Sequence, residues 1–556
     1  MQDGAPHCVC RALALFLVFV LAFAAPAAAD DQAILLDLAG PPADAIHHPI
    51  ETFVPEAQNL FDQGLALVWA FNHEAAIRAF EAASRADPHS PMPYWGIAYA
   101  LGPNINMQAD PHMLMLAISA LGEAKARAGN GSERERDYIA ALETRYGEDP
   151  AAERAPLDLA YAEAMAALAE KYPEDLDARV LHAEAVLDLR PWRWWEPDGK
   201  PAPGTEAVIA ELRAVLESAP DHIGANHLLI HALEASPDPA RAKAAAERLA
   251  ARAGHAGHLL HMPAHIQANT GDFAACSASN EAAIAADEAY LAASRAAGLY
   301  ATMYAAHNMH FLAFCDQMAG RKAATFAAVG KLAAHVAAHQ GDIPELTSLV
   351  IDYFGMQPAL MAVRFQDWDR VLALKAPPAG AMVAAAFWHY ARGVAYIGKR
   401  TLPYAEEERA ALAALVPTIP ETVTYGPNNS GRAMAALALA ELDGRLALAT
   451  GRFDKAIAML EAAVAQQDAL SYDDPPAWYH PVRETLGAAL LIAGRAKEAA
   501  RVFRADLERH PGNGRSLWGL WQSLEASGRS KAADETRAEY EKAWRAADIR
   551  LKLGDY

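Results

Sequence analysis

Cysteine is nearly absent, with four in 556 residues. Two of these, Cys8 and Cys10, fall within the first ten positions. A disulfide-built scaffold is therefore excluded. Cys276 and Cys315 remain, either as one bridge or as two small buried thiols on helices. No Cys-x-x-Cys-His is present, so covalently attached haem is not expected. Cationic side chains are also scarce: 48 Lys and Arg stand against 69 Asp and Glu, a formal charge of −21. No basic stripe interrupts that excess, which argues against a nucleic-acid partner, since an acidic surface repels phosphates. Alternating runs of valine, isoleucine and threonine are rare, so a sheet protein is not expected. The chain also lacks a P-loop, a dinucleotide glycine fingerprint, a Gly-x-Ser-x-Gly elbow and a His-Glu-x-x-His helix.

Hydrophobic residues, at 53%, are sufficient for a large core. Alanine, the best helix former, dominates long stretches. Arg11 precedes an apolar run, Ala12 to Ala25, and Ala27-Ala28-Ala29 follows as a small-residue cleavage pattern. We read residues 1–29 as a signal peptide cleaved after Ala29, with an uncleaved anchor as the alternative. The chain is then periplasmic or secreted, with no stable membrane span after cleavage.

Small and large residues recur at fixed distances. With Gly64 as position 8, Leu60 is 4, Leu67 is 11, Ala76 is 20, Phe80 is 24, Ala83 is 27 and Pro88 is 32. Near the C-terminus Leu486-Gly487, Leu490, Ala499, Phe503 and Pro511 repeat the spacing. Leu517, Leu520, Leu524, Gly528 and Ala533 follow at once, and a weaker unit surrounds Gly451, Ala456, Leu460 and Ala463. This is the 34-residue tetratricopeptide pattern, in which small residues let two helices approach and large ones fill the seam. No unit buries its apolar face alone, so neighbours must stack. The expected fold is all-α: a TPR-like solenoid, a right-handed superhelix of antiparallel helix pairs. Its expected parts are an irregular arm (30–56), N-terminal repeats (57–220), histidine-rich central repeats (221–345), further hairpins (346–440) and C-terminal repeats (441–556).

Nine of the 21 histidines lie between His222 and His310. Chance predicts about one i,i+4 histidine pair at this content, and the chain has three. The repeat register sharpens that excess. With Gly271 as the inter-helix turn, His258, His261 and His265 are positions 2, 5 and 9 of a first helix. With Gly320 as the next turn, His307 and His310 are positions 2 and 5. Pro237, more loosely, puts His227 and His231 at 5 and 9. As the tetratricopeptide resemblance implies, these positions line the concave groove. Seven imidazoles facing one pocket suit a transition metal (copper, iron or zinc). The alternative is a hydrogen-bonding groove without metal. Glu234 is a candidate ligand or general base, against a merely solvated helix residue.

Prolines and glycines break the helices between Arg190 and Gly204. The three tryptophans there, Trp192, Trp194 and Trp195, either cap the groove or staple a loop to the outside. Asn104, in the loop Gly102 to Asn106, and Tyr304, beside the third histidine segment, complete the candidate groove set.

Several of these segments together carry a further resemblance: Phe71-Asn72-His73, Tyr94-Trp95-Gly96, the tryptophan loop, His261-Met262-Pro263-Ala264-His265, His307-Asn308-Met309-His310-Phe311 and Asp474-Pro475-Pro476. The chain resembles a family of bacterial exported tetratricopeptide-repeat proteins over most of its mature length. The resemblance implies the fold and export, and it transfers no activity. Three functions fit these features. The first is a periplasmic metalloprotein holding one or two ions, with redox chemistry at an all-nitrogen site. The second is a zinc hydrolase with Glu234 as base. The third is a scaffold whose groove binds a peptide or protein partner.

Overall fold

The computed structural model describes residues 37–556, apart from 43, 44, 148 and 197. The expected signal peptide lies outside the described residues. The described chain is an all-α solenoid of antiparallel helix pairs. Pro55–Trp69 pairs with His73–Ala86, Met382–Gly398 with Leu402–Leu415, and Gly431–Ala449 with Phe453–Asp468. Val482–Ile492 pairs with Ala496–Arg509, and Gly514–Ala526 with Ser530–Ala543. Among the described residues the strands are Thr424–Tyr425 and Asn429–Ser430, a two-residue antiparallel ribbon.

The register read from the sequence has a direct steric cause. A Cβ on Gly64 would lie 2.5 Å from the Phe80 ring, and one on Gly96 2.6 Å from it. Phe80 is thus wedged between position 8 of its own unit and a glycine in the first helix of the next. Phe503 fills the same wedge between Gly487 and Gly519. Both rings are fully buried. Each wedge joins two units, which is how a repeat that cannot bury its own face acquires a core.

Most units turn between their helices through a left-handed residue, where glycine has no Cβ to clash. Gly271, Gly320, Gly451, Gly494 and Gly528 take this role with φ between 72° and 82°. In the first unit the equivalent position is Phe71, at φ 55°. A side chain there costs about 1–2 kcal/mol.

The solenoid returns on itself. Gly271 packs against the backbone of Pro511 and Gly512. Asp548 accepts hydrogen bonds from the amides of Lys322 (2.7 Å) and Ala323 (2.8 Å), capping the helix Lys322–His339. At the other end the irregular arm is tied down by its histidines. His47 Nδ1 lies 2.9 Å from Asp62 and His48 Nδ1 2.8 Å from Asp177. One stretch among the described residues, Pro344–Arg364, is long and apolar enough to cross a membrane. Its most apolar window is 61% buried in the fold, as a core segment would be.

Cys276 and Cys315, 5.9 Å apart at Cα, form the disulfide that the sequence left open. The bridge joins the helices Phe273–Ser294 and Ala306–Met318. It sits in a small buried cluster with Phe311, Phe314 and Met318, between the two large halves of the core.

Replacing Phe503 with alanine should lower stability by about 3–5 kcal/mol, read as a fall in the thermal midpoint. An unchanged midpoint would show that the wedge is not what joins the C-terminal units. Replacing both Cys276 and Cys315 with serine should cost about 2–4 kcal/mol. The same transition, compared under reducing and non-reducing conditions, checks this.

Candidate metal centre

Four short helical segments carry the site. His227 and His231 lie one turn apart on Ile223–Glu234. His258 and His261 lie on Gly257–His261, and His265 lies on Pro263–Asn269. Pro263 has no amide hydrogen and interrupts what the sequence suggested as one helix. His307 lies on Ala306–Met318, which a π-helical turn, Tyr300–Ala305, leads into. Such turns often mark functional positions.

Six imidazoles converge, in two groups of three. In each of His227/His231/His258 and His261/His265/His307, one ligand atom per residue lies within 4.8 Å of the others. His227 Nε2 is 3.1 Å from His258 Nε2. His261 Nε2 is 2.8 Å from His265 Nε2 and 3.0 Å from His307 Nε2. All but His307, which is partly exposed, are buried.

The far side of most rings is fixed by acceptors. His227 Nδ1 donates to the Trp69 carbonyl at 2.7 Å. His261 Nδ1 donates to Asn280 Oδ1 at 2.7 Å; the Asn280 amide is turned that way because its NH2 donates to the Cys276 carbonyl. His231 Nδ1 donates to Glu234 Oε1 at 3.0 Å. His265 Nδ1 donates to Asp474 Oδ2 at 3.1 Å and lies 2.5 Å from Glu234 Oε2. On the neutral His227, His231 and His261, with the proton on Nδ1, the lone pair is on Nε2 and points into the cluster. This is the outer arrangement that metal-binding histidines usually have. His265, held charged by Glu234 and Asp474, carries a proton on both nitrogens and must lose one to bind a metal. The buried Nε2 of His231 has no hydrogen-bond partner, a cost of about 1–3 kcal/mol unless something fills the space in front of it.

Charge follows the same layout. Burial, and then the neighbouring imidazoles, hold His227, His258, His261 and His307 well below the usual histidine range. These four are neutral donors near pH 7. Burial also lowers His231, against the pull of Glu234. Burial opposes charge on His265 too, but Glu234 and Asp474 overcome it and raise the imidazole to about 10. Burial likewise opposes ionisation of Glu234, yet His265 and His231 hold it down to about 2.

Aromatic rings close the centre from above. Phe71 stacks on His231 and His258, with centroids 5.8 and 5.3 Å away. Tyr304 meets His258 edge-on at 5.2 Å. Trp192 meets His231 edge-on at 5.4 Å. Phe71 and Trp192 are both non-glycine residues at positive φ, 55° and 61°. Strain of this kind collects at functional sites, and here both strained residues cover one imidazole.

Not every candidate residue joins the site. His310 packs edge-on against Tyr353 and Phe354, and burial lowers it to about 4. Three residues along a helix from His307 leave it about 60° away around the axis, on the side of the following helices. Glu234 is 2% exposed and engages two histidines by their Nδ1 atoms. It therefore holds two of the clustered histidines from behind, and with His265 and Asp474 it is itself part of a group that could hold a metal. Trp194 is a core residue whose Nε1 donates to the Leu187 carbonyl. Trp195 Nε1 donates to the Ala232 carbonyl, holding the loop beside the histidine helix. Asn104 is buried and closes its own loop by accepting from the Asn106 amide. Asn106, not Asn104, reaches Tyr304, with Nδ2 3.2 Å from the hydroxyl.

Three participants were not singled out as site residues from the sequence. Phe71 had a signal, since it stands where the repeat turn takes glycine. Asp474 had only its place in a segment that carries the family resemblance, and Asn280 had none; Asp474 lies 209 residues from its partner His265. Asp474 also accepts from Asn269 Nδ2 (3.2 Å) and the Tyr472 hydroxyl (3.0 Å). Glu234 and Asp474 form the floor of a groove of about 1290 Å³. Trp192, Trp195, Tyr472 and Arg483 are among its walls.

Two more groups of suitable donors are present among the described residues: Glu234, His265 and Asp474, which shares His265 with the second triad, and His48, Asp175 and Asp177, which lies elsewhere. In the latter, His222 Nε2 and His48 Nδ1 hold Asp177, while Tyr138 and Arg134 hold Asp175. Its donors are already paired, and it serves to fasten the arm.

No family model and no curated protein matches the chain. Among solved structures, the human IFIT1 dimer with m7Gppp-AAAA aligns over 94% of each chain at 12% identity and a TM-score of 0.32. A monomeric IFIT1 mutant with Gppp-AAAA aligns over 92% of this chain and 94% of that one, at 13% identity and a TM-score of 0.32. The TPR domain of P58(IPK) aligns over 85% of this chain and 99% of its own, at 12% identity and a TM-score of 0.19. These superpositions are loose, and the site is read from this chain's own residues.

Replacing Glu234 with alanine should destabilise the metal-free chain by about 3–5 kcal/mol, because a buried charge pair loses one partner. The thermal midpoint measures this. A change within error would show that the carboxylate does not hold the two histidines.

Proposed function

We propose that this chain is an exported TPR metalloprotein that binds transition metal in its buried histidine cluster. The observation behind the reading is the orientation of the rings. Four of the six Nδ1 atoms are tied outward to a carbonyl, an amide and carboxylates, and the Nε2 atoms of five rings face one another at 2.8–3.1 Å. A tetrahedral ion with bonds of about 2.0–2.1 Å spaces its ligands roughly 3.4 Å apart, so only a small opening is needed. An all-imidazole set suits copper, iron or zinc. Three histidines per ion leave one coordination position for a reactant.

Redox chemistry is the activity this donor set favours, because Glu234 is occupied on the Nδ1 side and the hydrolase reading loses its base. The aromatic cover of Phe71, Tyr304 and Trp192 would keep bulk water from such a centre. The leader read in residues 1–29 supports a periplasmic or secreted protein. A second reading is favoured by the groove beside the site, whose mixed aromatic and charged walls suit a peptide partner.

Elemental analysis of the chain purified without chelator tests the proposal. We expect a stoichiometric transition metal, and less of it in a chain carrying His261→Ala and His265→Ala. Less than about 0.1 ion per chain in both would overturn the metal reading.

A further inference from the structure

The cluster offers six nitrogens, and their grouping decides how many ions they hold. A single six-coordinate ion needs all six within a few ångströms of one another. Instead they converge in two threes, His227/His231/His258 and His261/His265/His307. The groups are contiguous: ring centroids are 5.7 Å apart for His231 and His265 and 5.9 Å apart for His258 and His261. They are also joined on the outside. Glu234 Oε1 lies 3.0 Å from His231 Nδ1, and Glu234 Oε2 lies 2.5 Å from His265 Nδ1. One carboxylate therefore positions a ligand in each group.

Resting on the metal reading above, we infer that the centre is a pair of ions. His227, His231 and His258 hold one, and His261, His265 and His307 hold the other. Glu234 is the positioning residue that couples them. The first group is carried by the helix Ile223–Glu234 and by His258, under the cover of Phe71 and Trp192. The second is braced by Asn280, one turn from the disulfide cysteine Cys276, and by the helix that carries Cys315. The groups share the short helix Gly257–His261, but each also has support the other lacks, so either can keep its ion when the other loses a ligand. The carboxylate between them makes the rings of the second group better placed once the first is filled. The ions bind as a cooperative pair, with their open positions in one cavity.

Titration of the metal-free full-length chain with Cu(II), followed by electron paramagnetic resonance, tests this. We expect two equivalents bound. As the second binds, the isolated-ion signal should broaden and lose intensity through coupling between neighbouring ions. His258→Ala and His307→Ala should each keep one equivalent with an isolated signal. Circular dichroism shows whether each variant is folded, and His227→Gln replaces His258→Ala if that variant is not. Glu234→Gln should keep two equivalents and lose the cooperativity. One equivalent in the native chain, or two whose signals simply add, would overturn the pair while leaving metal binding in place. No bound copper, with no metal in the purified chain, would overturn the preceding reading itself.

Discussion

One buried carboxylate sets the orientation of the site. Glu234 is ionised in a place that strongly disfavours charge, and it stays so because two imidazoles face it. That contact fixes the proton on the Nδ1 of His231 and, together with Asp474, holds His265 by its Nδ1, turning the Nε2 of both rings inward. Without it the central pair of rings would be free to flip, and a flipped ring presents N–H where a ligand atom is needed. The arrangement requires a chain that delivers a carboxylate, two helices and a distant loop to one point.

The closed solenoid makes that delivery. An open array would leave the C-terminal units far from the central repeats. Here Gly271 lies against Pro511 and Gly512, and Asp548 caps the helix after Gly320. The return brings the segment around Asp474 to His265, and so a residue near the end of the chain completes the shell of a ligand in its middle. Backbone close approach, available only to glycine at those points, therefore reaches as far as the electrostatics of the metal centre.

The fold was legible because its rule is local. A glycine at position 8 facing a ring at position 24 can be read from spacing alone, and Gly64 with Phe80 and Gly487 with Phe503 obey the same rule at opposite ends of the chain. Six of the site histidines were legible for the same reason, since the register carried inward placed them on one face. His310 shared the register but not the surroundings: the helices that follow it supply Tyr353 and Phe354 as neighbours. Asp474 and Asn280 could not be read, because their roles arise from superhelical closure and helix packing. The role of Glu234 stayed open for a related reason. Three residues after His231 it could face a metal or back away from it, and only the position of His265 Nδ1 decides.

The left-handed turn at Phe71 bears on how this protein tolerates redesign. Repeat arrays are commonly stabilised by moving each unit toward its consensus. At this turn the consensus is glycine, and the exchange would relieve backbone strain. It would also remove the ring that stacks on His231 and His258. A variant chosen for thermal resilience would thus keep every histidine and lose the roof over them, and a screen that scores folding alone would count it as an improvement.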